Sequence, residues 1–185
     1  RANNFIVGPQ KDINGNPILD LAFDKGDPDG PEINYTPAIN MLAPNGSRQA
    51  GARLGKFSFK IGQNPNMDND FPLLRYGEVL LNKAEAVARL NGNNFSNATT
   101  LALVNQLRAR AGVPNFTTMT EGDMLAERGR ELFEEALRRT DLIRFGAWGN
   151  AWWEKPAHND SFKNLMPIPA EQLVANPSLT QNPGY

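Results

Sequence analysis

The chain has 185 residues, of which 40% are hydrophobic and 21% charged, with 19 basic against 20 acidic side chains and a formal net charge of -1. Such a composition is that of a soluble globular protein of one domain, or one domain and a part, and the even charge balance excludes the basic footprint of a nucleic-acid or anionic-membrane binder. The absence of cysteine excludes disulfides, thiolate zinc sites and thiol nucleophiles, and no apolar run approaches the ~20 residues that cross a bilayer.

Residues 1–70 are crowded with Gly, Pro and Asn, as in Asn14-Gly15-Asn16-Pro17, which fix turns and deny long helices. This first segment reads as loop-rich scaffold with short strands, one over residues 56–61 where apolar and polar residues alternate, and a second over 18–23. It is long for a connection and is expected to pack on parts of the protein upstream of Arg1, since the chain opens with neither Met nor a signal-like stretch.

At Phe71 the pattern turns helical, and residues 71–185 form the second region. The spacing predicts a first helix over 72–90, with Pro72 at its first position and Asn91-Gly92 as its stop. Its inner face is expected to carry Leu73, Tyr76, Leu80, Ala84 and Val87, widened by Leu74, Leu81 and Ala88. A second helix starts after Ser96 or Asn97 as cap, turns Leu101, Val104 and Leu107 inward, and ends at Gly112 before Pro114. The short link makes the two an antiparallel hairpin, with spacing close to one tetratricopeptide unit. A single unit leaves a face unburied, so partner units are expected elsewhere in the parent protein. A third helix opens at Thr120, with Asp123 completing a capping box, and is predicted to run to about Arg139 with Leu125, Leu132 and Ala136 inward. An aromatic helical or turn segment follows over 141–153, then a loop, a brief helix over 170–174 and an ordered Pro- and Asn-rich tail from 165 to 185.

Charge gathers in Glu127-Arg128-Gly129-Arg130-Glu131, Glu134-Glu135, Arg138-Arg139, Asp141 and Arg144. A glycosidase needs two acids facing each other across a bond, roughly 5 to 10 Å apart. Adjacent residues of one helix point apart, so Glu134 and Glu135 are read instead as a structural ion-pair network, with Arg138 and Arg139 each four positions on. His158, Asp160 and Ser161 lie too close in one loop to make a triad by sequence. Asp24 to Gly30 has the acidic look of a calcium loop, but Lys25 and Thr36 stand where ligands are required, and a turn is preferred. No catalytic residue, metal ligand or cofactor site is assigned. Trp148, Trp152 and Trp153 are the candidate platform for stacking on sugar rings, against the alternative of packing anchors, and Tyr35 is a further candidate.

The ordered motifs resemble the SusD/RagB family of outer-membrane glycan-binding lipoproteins, in their carboxy-terminal part. The resemblance is carried by Leu74-Arg75-Tyr76-Gly77-Glu78-Val79-Leu80-Leu81 with Ala84-Glu85-Ala86, and by Val104-Asn105-Gln106-Leu107-Arg108-Ala109-Arg110-Ala111-Gly112. Further along, Glu127-Arg128, Glu131-Leu132, Arg138 to Gly146, Met166-Pro167-Ile168-Pro169 and the run from Asn176 to Tyr185 continue it. Ala136 stands where many members have Gly, and Leu137 where they often have His or Trp; both are expected inside a structural helix. Residues 1–70 match only loosely. The resemblance implies a mainly α fold with a tetratricopeptide-like hairpin, no catalysis and no cofactor. It also implies capture of an oligosaccharide or polysaccharide at the outer face of the outer membrane, for delivery to a SusC-like TonB-dependent transporter. The membrane link would be a lipid anchor outside this chain. The matched motifs are fold determinants, so no sugar-contacting residue is carried over from the family. A tetratricopeptide-like protein-interaction scaffold without glycan binding is the other reading.

Overall fold

The computed structural model describes residues 4–20, 30–39, 48–57 and 69–185. Among these, most of the regular structure is helical: α1 Tyr76–Leu90, α2 Ala98–Arg110, α3 Glu121–Glu131, α4 Arg138–Arg144 and α5 Ala170–Ala175. The strands are two residues long. β1 (Phe5–Ile6) pairs antiparallel with β4 (Arg53–Leu54), and β2 (Gly8–Pro9) with β3 (Asn34–Tyr35). The predicted strand over 18–23 is described only to Asp20, where Leu19 bridges Glu32. Most of the predicted strand over 56–61, and the acidic loop from Asp24 except Gly30, lie outside the described residues. No described helix is long and apolar enough to cross a membrane.

Local chemistry sets the helix ends. Asn97 caps α2 by accepting from the Thr99 N–H, and Thr120 with Asp123 forms the full capping box of α3. α2 folds back on α1, and their shared core is Leu80, Leu81, Ala84, Ala88, Leu103, Val104 and Leu107, closed by Phe95, Met119, Met124 and Leu132. Full burial of each large apolar side chain stabilises by about 1.5–3 kcal/mol. Ala84 leaves room for the buried Thr100, whose hydroxyl donates to the Ala84 carbonyl at 3.2 Å.

α1 begins four residues later than the sequence predicts, and its inward face is rotated. Arg75, extended at φ -145 and ψ 157, is the residue before the first turn, so Leu73 and Leu74 are not helical and lie exposed. Tyr76 also faces out, while Gly77, Leu81, Ala84 and Ala88 face in at helical spacing. The reason is ionic. The guanidinium of Arg75 reaches Glu131 of α3 at 2.7 Å across the space that a side chain at Gly77 would fill.

α3 is likewise shorter than predicted. It stops at Glu131, and the chain passes through two left-handed residues, Glu134 (φ 61) and Ala136 (φ 60), before α4. Ala136 is therefore exposed in a turn and not on a helical core stripe, and Leu125 is only partly buried. The left-handed backbone at Ala136 is one that glycine adopts without the steric cost of a Cβ.

The same break overturns the predicted i,i+4 pairs. Glu135 meets Arg75 Nε at 2.6 Å and Lys56, not Arg139. Arg138 donates to the Leu125 carbonyl, Arg139 to the Lys163 carbonyl, and Glu134 Oε2 is buried without a hydrogen-bond partner among the described residues. The network reading itself holds, with longer reach. Glu127 takes Arg108 and Arg130, Glu131 takes Arg75 and Arg110, and Asp141 takes Arg128 at 2.8 Å and Arg144 at 2.9 Å. Glu85 accepts a two-pronged contact from Arg144 at 2.7 and 2.9 Å. Burial pushes the Glu85 carboxyl up, but hydrogen bonds from Arg144 and Arg89, with the charges of Arg144 and Arg128, outweigh it and hold the group below its ordinary range.

Lys56 and the Phe5 ring, 4.8 Å from that of Phe133, tie the first segment to the α3–α4 turn. The tail closes on itself and on the short segment just before it: Gln181 exchanges two hydrogen bonds with the backbone of Ile168, and Tyr185 stacks edge-on against Phe162.

Candidate functional site

Three tryptophans follow α4. The helix closes with the Ala147 N–H donating to the Leu142 carbonyl at 2.7 Å, which turns the chain and brings Trp148 out of the helical body. A tight turn comes next, in which Trp152 and Lys155 exchange backbone hydrogen bonds at 2.9 and 3.1 Å with Glu154 left-handed between them. Lys155 then donates through Nζ to the Asn150 carbonyl at 2.9 Å, so the turn is held against the segment before it.

The three rings have different surroundings. Trp148 is hemmed in: the Arg139 guanidinium lies 5.2 Å from its ring centre, Trp152 6.2 Å away and His158 edge-on at 6.4 Å. Trp152 is half exposed, with Lys155 Nζ over its ring at 4.1 Å. Trp153 is 52% exposed and, among the described residues, has no recorded ring or cation partner. A free indole face is what a sugar ring needs, because it offers a polarisable apolar surface to pyranose C–H groups. Tyr35 stands apart in β3, partly buried beneath the Arg53 guanidinium at 4.2 Å. The structure thus brings Trp148 and Trp152 together and does not join Tyr35 to them by a ring contact.

Beside the tryptophans lies a cleft of about 300 Å³ between the 146–150 turn and the 157–164 segment. Its two walls are clamped by the His158 N–H donating to the Gly149 carbonyl at 2.9 Å. The approach is so close that a Cβ at Gly149 would stand 2.5 Å from the His158 carbonyl oxygen, so only glycine fits. Asp160 on the rim pairs with Lys163, whose hydrogen bond and charge hold its carboxyl below the usual range. His158, Asp160 and Ser161, too close in sequence for a triad, are therefore three residues of one cleft wall. The sequence reading had no means to find Asn150, Asn159 and Asn164 around the same cleft; the one usable signal was a glycine within an Asn-rich stretch.

Catalytic pairing of Glu134 and Glu135 has no support in this geometry. Both Glu135 oxygens are engaged by cations, while Glu134 belongs to the lining of an apolar cavity of about 640 Å³ with Leu54, Leu132 and Phe133. Among the described residues no cluster of His, Asp and Glu suited to a metal ion occurs.

Residues 31–185 match the SusD family. The starch-binding protein SusD of Bacteroides thetaiotaomicron is 35% identical over 127 residues, covering 64% of this chain and 22% of that protein. SusD-like protein P38 of Formosa agariphila is 26% identical over 157 residues, covering 78% of this chain and 30% of that protein. Among solved structures, surface glycan-binding protein A from Bacteroides uniformis superposes with a TM-score of 0.50 at 28% identity, covering 62% of this chain and 28% of that one. A SusD-like protein from Bacteroides fragilis shares the fold, with a TM-score of 0.51 at 24% identity over 62% of this chain and 26% of that one. The chain spans less than a third of the length of the curated relatives it matches. With the family match running through α1–α5 to the final residue, this chain belongs to the SusD family.

Proposed function

We propose that this chain is part of a non-catalytic, cell-surface protein that captures an oligosaccharide or polysaccharide and passes it to a SusC-like TonB-dependent transporter in the outer membrane. The observation that carries this reading is the family match over residues 31–185, joined by relatives named for starch and surface-glycan binding. Attachment to the membrane would come from a lipidated part of the protein outside this chain. Trp153, with Trp152 beside it, is the best-suited stacking platform, because it is 52% exposed and has no ring or cation contact among the described residues. The Trp148 ring is less open to stacking, with Arg139 5.2 Å from its centre, and Tyr35 has one ring face taken by Arg53.

The test is a glycan array with the full-length protein, repeated after Trp152→Ala and Trp153→Ala. Binding by the parent supports the reading, and a loss in the Trp153 variant assigns the platform. Retained binding in both variants returns the tryptophans to a packing role. A second reading, a protein-interaction scaffold, draws on the outer face of α1, where Tyr76, Val79 and Leu90 are exposed. It predicts no glycan affinity on the same array.

A further inference from the structure

We infer that the cleft between the 146–150 turn and the 157–164 segment is a saccharide subsite, accepting one ring of a neutral oligosaccharide through the side-chain amides of Asn150, Asn159 and Asn164. The inference rests on the reading that the protein binds glycan, and it adds a location and a hydrogen-bonding logic.

Three features support it. The cleft is built and not incidental: the Gly149–His158 clamp closes its floor, Lys155 holds the Asn150 side, and Arg139 holds the far side through the Lys163 carbonyl at 2.7 Å. Its polar groups are uncommitted, since the amides of Asn150, Asn159 and Asn164 and the Ser161 hydroxyl make no hydrogen bond to the protein among the described residues. An amide both donates and accepts, as does a sugar hydroxyl, so a ring of hydroxyls can be matched whichever way each one points. The charge is spent. Among the described residues the lining holds no Lys or Arg and one acid, Asp160, which is paired with Lys163; this favours a neutral ligand over a phosphate or a carboxylate.

Two further atoms fit this role. Trp148 Nε1 and His158 Nδ1, both in residues of the cleft wall, are buried without a hydrogen-bond partner among the described residues. Buried polar groups are seldom left unpaired unless they serve a ligand or a water. Both are shut off from bulk solvent, so a rotation of the His158 imidazole is the movement that would bring Nδ1 to a bound hydroxyl. The adjoining turn places the half-exposed Trp152 ring 6.2 Å from that of the wall residue Trp148, in position for a neighbouring sugar unit of the same oligosaccharide.

The experiment uses the full-length protein and calorimetric titration with maltoheptaose, cellohexaose, xylohexaose and mannohexaose. The triple variant Asn150→Ala/Asn159→Ala/Asn164→Ala is expected to weaken binding of whichever probe the parent takes by about tenfold or more. Asn115→Ala, on an exposed loop elsewhere, should leave it unchanged. Ser161→Trp fills the cleft from its rim and is expected to abolish the same binding; it decides the matter if the triple variant does not fold. Parent-like affinity in the folded triple variant or in Ser161→Trp overturns the subsite and leaves glycan binding elsewhere on the protein standing. If the parent takes none of the probes and no array glycan, the reading under Proposed function fails and the subsite fails with it.

Discussion

Replacing Ala136 with glycine should make this protein more stable, against the usual direction of that change. Ala136 holds φ 60, in the left-handed region where a Cβ crowds the following carbonyl. Relief of that strain is worth about 1–2 kcal/mol. Against it stands the greater freedom of glycine in the unfolded chain, about 0.4–1 kcal/mol. The methyl is exposed, so little packing is lost. The balance is a gain of about 0.5–1 kcal/mol, or a two- to fivefold shift in the folding equilibrium. Urea unfolding measures it: with a slope of about 2 kcal/mol/M, the midpoint should rise by about 0.2–0.5 M at unchanged slope. The control is Ala102→Gly, the same change at an exposed site inside α2, which should lower stability by about 1 kcal/mol. If Ala136→Gly lowers the midpoint as Ala102→Gly does, the account of the α3–α4 turn is wrong.

Arg128→Met should cost about 3 kcal/mol in the same assay, because it removes one of two guanidiniums from Asp141, which is 2% exposed; Arg144 remains to hold the carboxylate, which sets the cost at the low end for a broken buried pair. A loss under about 1 kcal/mol would mean the pair is not buried as described. The depressed Glu85 carboxyl fixes the sign of a pH effect: its stabilisation is complete above the ordinary value of about 4.5 and is lost as pH falls through its lower folded value. Stability of the parent should therefore fall on acidification below pH 4.5 more steeply than that of Glu85→Gln; parallel curves would contradict this. Thr120→Ala removes the cap and the reciprocal partner of Asp123, and is expected to lower unfolding free energy by about 1 kcal/mol. Gln181→Ala deletes both hydrogen bonds to Ile168 and should free the tail, seen as faster proteolysis between residues 170 and 185 with little change in the global unfolding midpoint.

Features written in a few adjacent residues were legible beforehand. Asn97, the Thr120–Asp123 box, the stop at Asn91 and the brief helix near Ala170 all follow from bonds that close within one or two turns. So does family membership, which rests on short ordered motifs. The inward face of α1 was not legible, because apolar residues line both of its sides. The choice was made by Arg75, which needs the space at Gly77 to reach Glu131, 56 positions away. For the same reason α3 breaks after Glu131: Glu135 is drawn to Arg75 and Lys56, 60 and 79 positions distant, and a continuous helix would have left it for Arg139.

The tryptophan cluster divides in the same way. Its existence and its place after α4 were determined by the sequence alone, as local composition. Which indole stays free was decided by Arg139, Lys155 and His158, whose positions depend on how the chain folds after Ala147. The cleft beside it exists because two backbone segments nine residues apart come within hydrogen-bonding distance at Gly149 and His158, a tertiary approach that no periodicity records.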